Sequence, residues 1–159
     1  MRKAIWIAVL VIVIAYVAVA FATQDRRSDQ AKVDALVARG TQAVRDRNLI
    51  GVVSCVSTNY RDEAGIGYDR LRILLAQAMR TETNYTLTTS SPVTTFDGDQ
   101  ATVTLHITLK HAIGDPFYDR DLTLELAKEN ASHMLIVPAK QWRVTGSRNL
   151  GLPTTESVF

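Results

Sequence analysis

A chain of 159 residues with 18 Lys and Arg against 16 Asp and Glu carries a formal charge of +2, and the two signs are interleaved along it. The length allows one ordinary domain with a real core, and the charge pattern offers no basic stripe for releasing counterions from a nucleic acid. The single cysteine, Cys55, excludes an internal disulfide and has no partners at metal-ligand spacing.

The first predicted element is Ala4 to Ala22, AIWIAVLVIVIAYVAVAFA, an apolar run without charge, Gly or Pro. As a helix it covers about 28 Å, close to the hydrocarbon thickness of a bilayer, so it reads as a transmembrane anchor. Arg2 and Lys3 suit either a signal peptide or a signal anchor, and Ala20-Phe21-Ala22 has the form of a cleavage site. The run exceeds the apolar region of a signal, which favours an uncleaved, single-pass anchor over residues 1–24 and a bilayer as the first partner. Trp6 is placed at the interface, with Leu10, Ile14 and Tyr16 along the span. Basic residues flank both ends, Arg2 and Lys3 on one side and Arg26, Arg27 and Lys32 on the other. Orientation therefore rests on the habit of a lone leading apolar segment to direct the downstream chain across, which places the domain on the extracytoplasmic side.

Residues 25–30 form a polar linker that ends at a helix cap, Ser28, with Asp29 in the first turn where it suits the dipole. Val33, Leu36, Val37, Gly40 and Val44 then recur at spacings of three and four, which predicts an amphipathic helix. Asn48 caps a second, shorter helix carrying Leu49, Val52, Val53 and Val56, and Cys55 beside that stripe reads as a buried structural thiol. Ser57 to Gly67 is a connecting segment. Its Gly-Ile-Gly lacks the third glycine of a dinucleotide fingerprint, and no phosphate-cradling Gly-Lys-Ser/Thr follows. Leu71, Leu74, Leu75 and Ala78 mark a third helix that ends near Arg80.

After Thr81 the chain turns β-branched. Thr83 to Thr95 predicts one strand that bends, bulges or lies at an edge around Pro92, and Phe96-Asp97-Gly98-Asp99 predicts a hairpin turn. Ala101, Val103, Leu105, Ile107 and Leu109 alternate with Thr102, Thr104, His106 and Thr108, the pattern of a strand with one greasy face. Leu122, Leu124 and Leu126 repeat it, Asn130-Ala131-Ser132 predicts a connection, and a last strand from Gln141 to Ser147 turns Trp142 and Val144 inward. Residues 149–159 read as a flexible tail. The expectation is an α+β domain over residues 31–148, three helices on a curved four-stranded antiparallel sheet, behind an N-terminal transmembrane helix.

The order of these elements, with the break Arg45-Asp46-Arg47-Asn48, the segment NYRDEAG, the hairpin around DGDQATVTLHITL and the closing QWRV, resembles the NTF2-like or SnoaL-like superfamily. The resemblance implies a cystatin/NTF2-like cone, in which a curved sheet wraps the helices and leaves a pocket at its open end. It also implies that two copies can pair through the sheet. Members include isomerases, cyclases, dehydratases and proteins that only bind or assemble, so fold does not carry function.

Steroid-isomerase-like members place a carboxylate after the second helix, so the resemblance makes Asp62 the candidate general base, with Tyr60, Tyr85, His111 and Trp142 as further pocket residues. That chemistry also needs donors preorganised for a developing oxyanion. The first helix contains no Tyr, and the inward strand positions from Val103 to Leu126 are apolar. The plainer reading makes Asp62 a turn carboxylate and Tyr60 a rim aromatic with its hydroxyl in water. His106 and His111 point to opposite faces of a regular strand and cannot share a metal. These residues lead to a membrane-tethered, non-catalytic domain that binds a small apolar ligand or a protein partner, with no metal and no cofactor. The alternative is a pocket enzyme of isomerase, cyclase or dehydratase type acting on a small hydrophobic substrate through Asp62.

Overall fold

The computed structural model of the chain describes residues 11–16, 19, 27–82, 84–133 and 137–151. The chain divides into two units, residues 29–128 with 142–159 and residues 1–28 with 129–141.

The larger unit begins with helix α1, Asp29–Arg45, whose first turn carries Asp29 and whose last carries Arg45, as the helix dipole favours. Val33, Leu36 and Ala43 are its buried residues. Ala43 replaces the expected Val44 because α1 meets the next helix through small residues: a Cβ on Gly51 would stand 2.9 Å from that of Ala43. Asn48 opens α2, Leu49–Val53, and its Oδ1 accepts the Gly51 N–H at 2.9 Å, the cap expected from sequence. Helix α3, Tyr68–Thr81, buries Leu71.

The sheet contains β1 Thr86–Thr89, β2 Val93–Asp97, β3 Gln100–Lys110, β4 Pro116–His133 and β5 Val137–Arg148. The order is β1-β3-β4-β5, and β2 also pairs with β3. The four strands expected are thus five, because the stretch around Pro92 is broken in two. Three residues, Ser90 to Pro92, separate the pairs Thr89–Ile107 and Val93–Thr104, while only Leu105 and His106 oppose them. Ser90 closes this bulge, its N–H donating to the His106 carbonyl at 3.0 Å and its Oγ accepting the His106 N–H at 2.9 Å. Pro92, with no N–H for a ladder, occupies the irregularity.

Two further expectations change. Phe96 and Asp97 belong to β2, so the hairpin loop narrows to Gly98 and Asp99, where Gly98 takes φ +58. Asn130, Ala131 and Ser132 continue β4 rather than leave it, since pairing can override weak strand propensity.

The pleat sorts the sheet as the alternation foretold. Ala101, Val103, Leu105, Leu122 and Leu126 are buried with Trp142 and Val144 in one core, together with Val33, Leu36 and Leu71 from the helices. The opposite edge of the sheet, along β5, is covered by the chain from Cys55 to Glu63. The Ser57, Arg61 and Glu63 N–H groups donate to the carbonyls of Val144, Thr145 and Ser147 at 2.8, 3.0 and 3.2 Å. The Val144 N–H returns a bond to the Cys55 carbonyl at 3.0 Å. This edging satisfies backbone groups that would otherwise offer a template to another chain.

In the smaller unit residues 11–16 and 19 are helical with exposed side chains, Ile14 at 58% and Tyr16 at 40%. Among the described residues no helix is long and apolar enough to cross a membrane. Most of the predicted span, with Trp6 and Leu10, lies outside them.

Candidate functional site

The edging segment that covers β5 also delivers the candidate site residues. Tyr60 lies within it and is 4% exposed, its hydroxyl 2.5 Å from Ser147 Oγ. The expected wet hydroxyl is therefore sealed, because β5 brings Ser147 beneath it. Burial pushes the Tyr60 phenol up, with the Ser147 bond opposing and the nearby Asp62 charge adding to the rise. A neutral phenol held against a neutral, buried hydroxyl is a poor base.

Asp62, two residues on, is 8% exposed. Its Oδ1 accepts the Ile66 N–H at 2.6 Å, its own N–H donates to the Ile66 carbonyl at 3.0 Å, and its carbonyl accepts the Gly65 N–H at 3.0 Å. Gly65 at φ +78 makes this turn possible. The carboxylate closes a tight loop, which is the turn role weighed against that of a base. Glu63 continues the theme by accepting the Asn149 N–H at 2.5 Å.

The remaining candidates fall into two other groups. The Tyr85 hydroxyl donates to the Val44 carbonyl at 2.7 Å, and its ring meets Phe117 edge-on at 6.4 Å with the Arg47 guanidinium 5.3 Å from its centroid. His111 stacks on the same Phe117 at 4.6 Å, with Nδ1 2.8 Å from the Asn84 carbonyl and Nε2 3.3 Å from Glu82. Tyr85 and His111 thus share one aromatic cluster, while Tyr60 and Asp62 share the β5 edging. Trp142 is buried, donates from Nε1 to Asp29 at 3.2 Å, and stands edge-on to Phe96 at 5.8 Å. Lys128 lies over its ring at 5.1 Å and joins Asp29 at 2.8 Å and Asp99 at 3.2 Å. The bonds to Lys128 and Trp142 hold the Asp29 carboxyl below its ordinary value. This group locks the start of α1 to the sheet.

Cys55 is buried, accepting from Arg39 Nε at 3.4 Å, as a structural thiol would be. His106 lies on the outer face, with Nδ1 2.8 Å from Asp121 and Nε2 2.9 Å from Asp119, which also accepts from the Thr108 hydroxyl at 2.7 Å. Both ring nitrogens face carboxylates that only accept, so the pair favours the imidazolium and raises the His106 pKa. Among the described residues no group of His, Cys, Asp and Glu could hold a metal ion.

Two residues escaped the sequence reading. Ser147 follows buried Gly146 and is itself buried, a break in alternation that no local pattern announces. Arg120 was legible. Extending the inward series Leu126, Leu124, Leu122 by one step reaches it, and the ladder pairs it with Ile107.

No protein-family model and no curated protein sequence matches this chain. Solved structures do. A protein of unknown function with a cystatin-like fold from Nostoc punctiforme is similar at a TM-score of 0.59 and 14% identity, over 79% of this chain and 94% of that one. An NTF2-like protein of unknown function from Pseudomonas putida follows at 0.57 and 16%, over 76% and 85%. A ketosteroid isomerase-like protein from Shewanella frigidimarina stands at 0.50 and 16%, over 70% and 89%. At such identities the likeness establishes the fold, an α+β cone of the NTF2-like and cystatin-like kind.

Proposed function

We propose that the chain is a membrane-tethered, non-catalytic NTF2-like domain that binds a small apolar ligand against the concave face of its sheet. The observation that carries this reading is how the concave face divides aliphatic surface from polar groups. Leu105, Leu122 and Leu126 are sealed in the core, while Ile107 and Leu124 of the sheet, with Tyr68 and Leu75 of α3, are only partly buried against it and offer apolar surface to a guest. The polar groups best placed for chemistry, Tyr60 and Asp62, are engaged within the protein by Ser147 and Ile66. Exposed Val11, Ile12, Val13 and Ile14 on a helical turn support the tether, since a lipid-facing helix presents such side chains.

The enzymatic reading with Asp62 as base draws on the ketosteroid isomerase-like neighbour and on the burial of Asp62 beside Tyr60. It requires the carboxylate to release the Ile66 N–H while it works. The test is purification of the full chain from membranes under native conditions, followed by mass spectrometry of what accompanies it. An apolar small molecule at a fixed ratio is the expected result. A protein at fixed ratio with no small molecule would replace the ligand by a partner, and a mature chain beginning at Thr23 would remove the tether.

A further inference from the structure

We propose that Arg120 recognises the headgroup of an amphiphile bearing one oxyanion, a carboxylate or a phosphate, whose apolar chain lies along the concave face. The inference rests on reading that face as an apolar-ligand site, and it names the chemistry of the ligand's polar end.

Directly paired residues of an antiparallel ladder share a face. Arg120 pairs with Ile107, and Ile107 pairs with Thr89 on its other side. The adjoining row toward the core is Leu105 with Leu122, and the row toward the end of the sheet is Leu87, Leu109 and Tyr118. A guanidinium therefore stands on a face whose neighbours are aliphatic, aromatic or a single threonine. The side chain is exposed, and among the described residues it has no ion pair and makes no hydrogen bond. Asp119 and Asp121 flank it in sequence, yet the pleat turns both to the outer face, where they hold His106. The two carboxylates next to it in sequence are thus turned away from it by alternation.

The residues after β5 hold this end of the sheet in place. The Asn149 side-chain amide donates to the Asp121 carbonyl at 2.8 Å, and the Tyr118 hydroxyl donates to the Leu150 carbonyl at 3.0 Å. Leu150 packs against the core. Gly151, at φ +63, then lays its backbone against Arg120, where a Cβ would stand 3.0 Å from Cζ and Nε. The guanidinium is supported on one side, so less side-chain freedom is lost when it binds. Its planar fork matches carboxylate and phosphate oxygens two at a time, while Ile107 and Leu109 beside it, only partly buried, accept the chain that the headgroup carries.

The experiment titrates the full-length chain in amphipol, by calorimetry, with sodium octanoate, monooctyl phosphate and 1-octanol. At least one of the two anions is expected to bind about ten- to a hundredfold more tightly than octanol, as a charge-assisted pair gives. Which anion leads distinguishes a carboxylate ligand from a phosphate one. Arg120→Gln is expected to lower the favoured anion to the level of octanol and to leave octanol unchanged. Equal binding of all three, or an anion preference that survives R120Q, overturns the headgroup inference while the apolar-ligand reading stands. Absence of binding by all three overturns both.

Discussion

The β3–β4 ladder has two faces built from alternate residues of the same strands, and they obey different rules. On the concave face Val103, Leu105, Leu122 and Leu126 are nearly or wholly sealed. On the outer face Thr104 meets Thr123 at 3.4 Å, and His106, its side chain 44% exposed, sits between Asp119 and Asp121. Volume governs the first face, and charge governs the second. A change of size should therefore be felt on one side and a change of pH on the other. The largest expected effect is accordingly Leu126→Ala: with 2% of the residue exposed, chemical denaturation should show a loss of about 2–5 kcal/mol. Thr104→Ala, one strand away on the outer face, should fall within about 0.5 kcal/mol. Equal losses would mean that the outer face is also covered, as it would be in a copy-to-copy pair through the sheet.

Between these extremes lie the buried polar groups of the edging segment. Asp62→Ala strands the Ile66 N–H and opens the loop at Gly65, so denaturation should show a loss of about 1.5–3 kcal/mol. Asp62→Asn keeps an acceptor in place and should cost less. Residues kept for chemistry tend to be held at the expense of stability, so an Asp62→Asn chain more stable than the parent would favour the enzymatic reading. Ser147→Ala should cost about 1–3 kcal/mol, because the Tyr60 hydroxyl is left buried without its partner. Tyr60→Phe combined with Ser147→Ala should cost less than the two single changes together, since removing both partners leaves neither stranded.

The same contrast explains how far the sequence could be read. Faces are local: a period of two places Val103 and His106 without knowledge of the fold, and the Asn48 cap needs only three residues of context. The family resemblance supplied the cone. What stayed hidden depends on contacts between segments far apart in the chain. Tyr60 could not be seen to be sealed, because its partner Ser147 arrives 87 residues later. Asp62 looked like a base or a turn until Ile66 was seen to occupy its oxygen. Tyr85 and His111 looked like pocket residues beside Tyr60, and the turn of the chain gathers them instead around Phe117. The split at Ser90 to Pro92 was hinted at by the proline, but the bulge is defined only by counting against β3.

The smallest predicted effect belongs to the outer face and is the most specific to it. His106 has its pKa raised above 6.5 by its bonds to Asp121 and Asp119. The folded state therefore binds a proton that the unfolded state releases first. The stabilisation is fully present below pH 6.5 and is lost as pH rises through the higher folded value. Asp119 has its pKa lowered below 3.8 by Thr108 and His106, so its contribution is present above pH 3.8 and is lost as pH falls through the lower folded value. Together they set a plateau between the two, with a decline on each side. His106→Gln should flatten the decline on the alkaline side, and Thr108→Val, by removing the larger cause of the Asp119 shift, should soften the acid side. Thermal melts across pH 3 to 9 read both slopes, which screening by salt should shrink because the groups are exposed. An alkaline slope that persists in H106Q and resists salt would mean that a sealed group titrates there, and the outer face would then lose its standing as the wet side of the ladder.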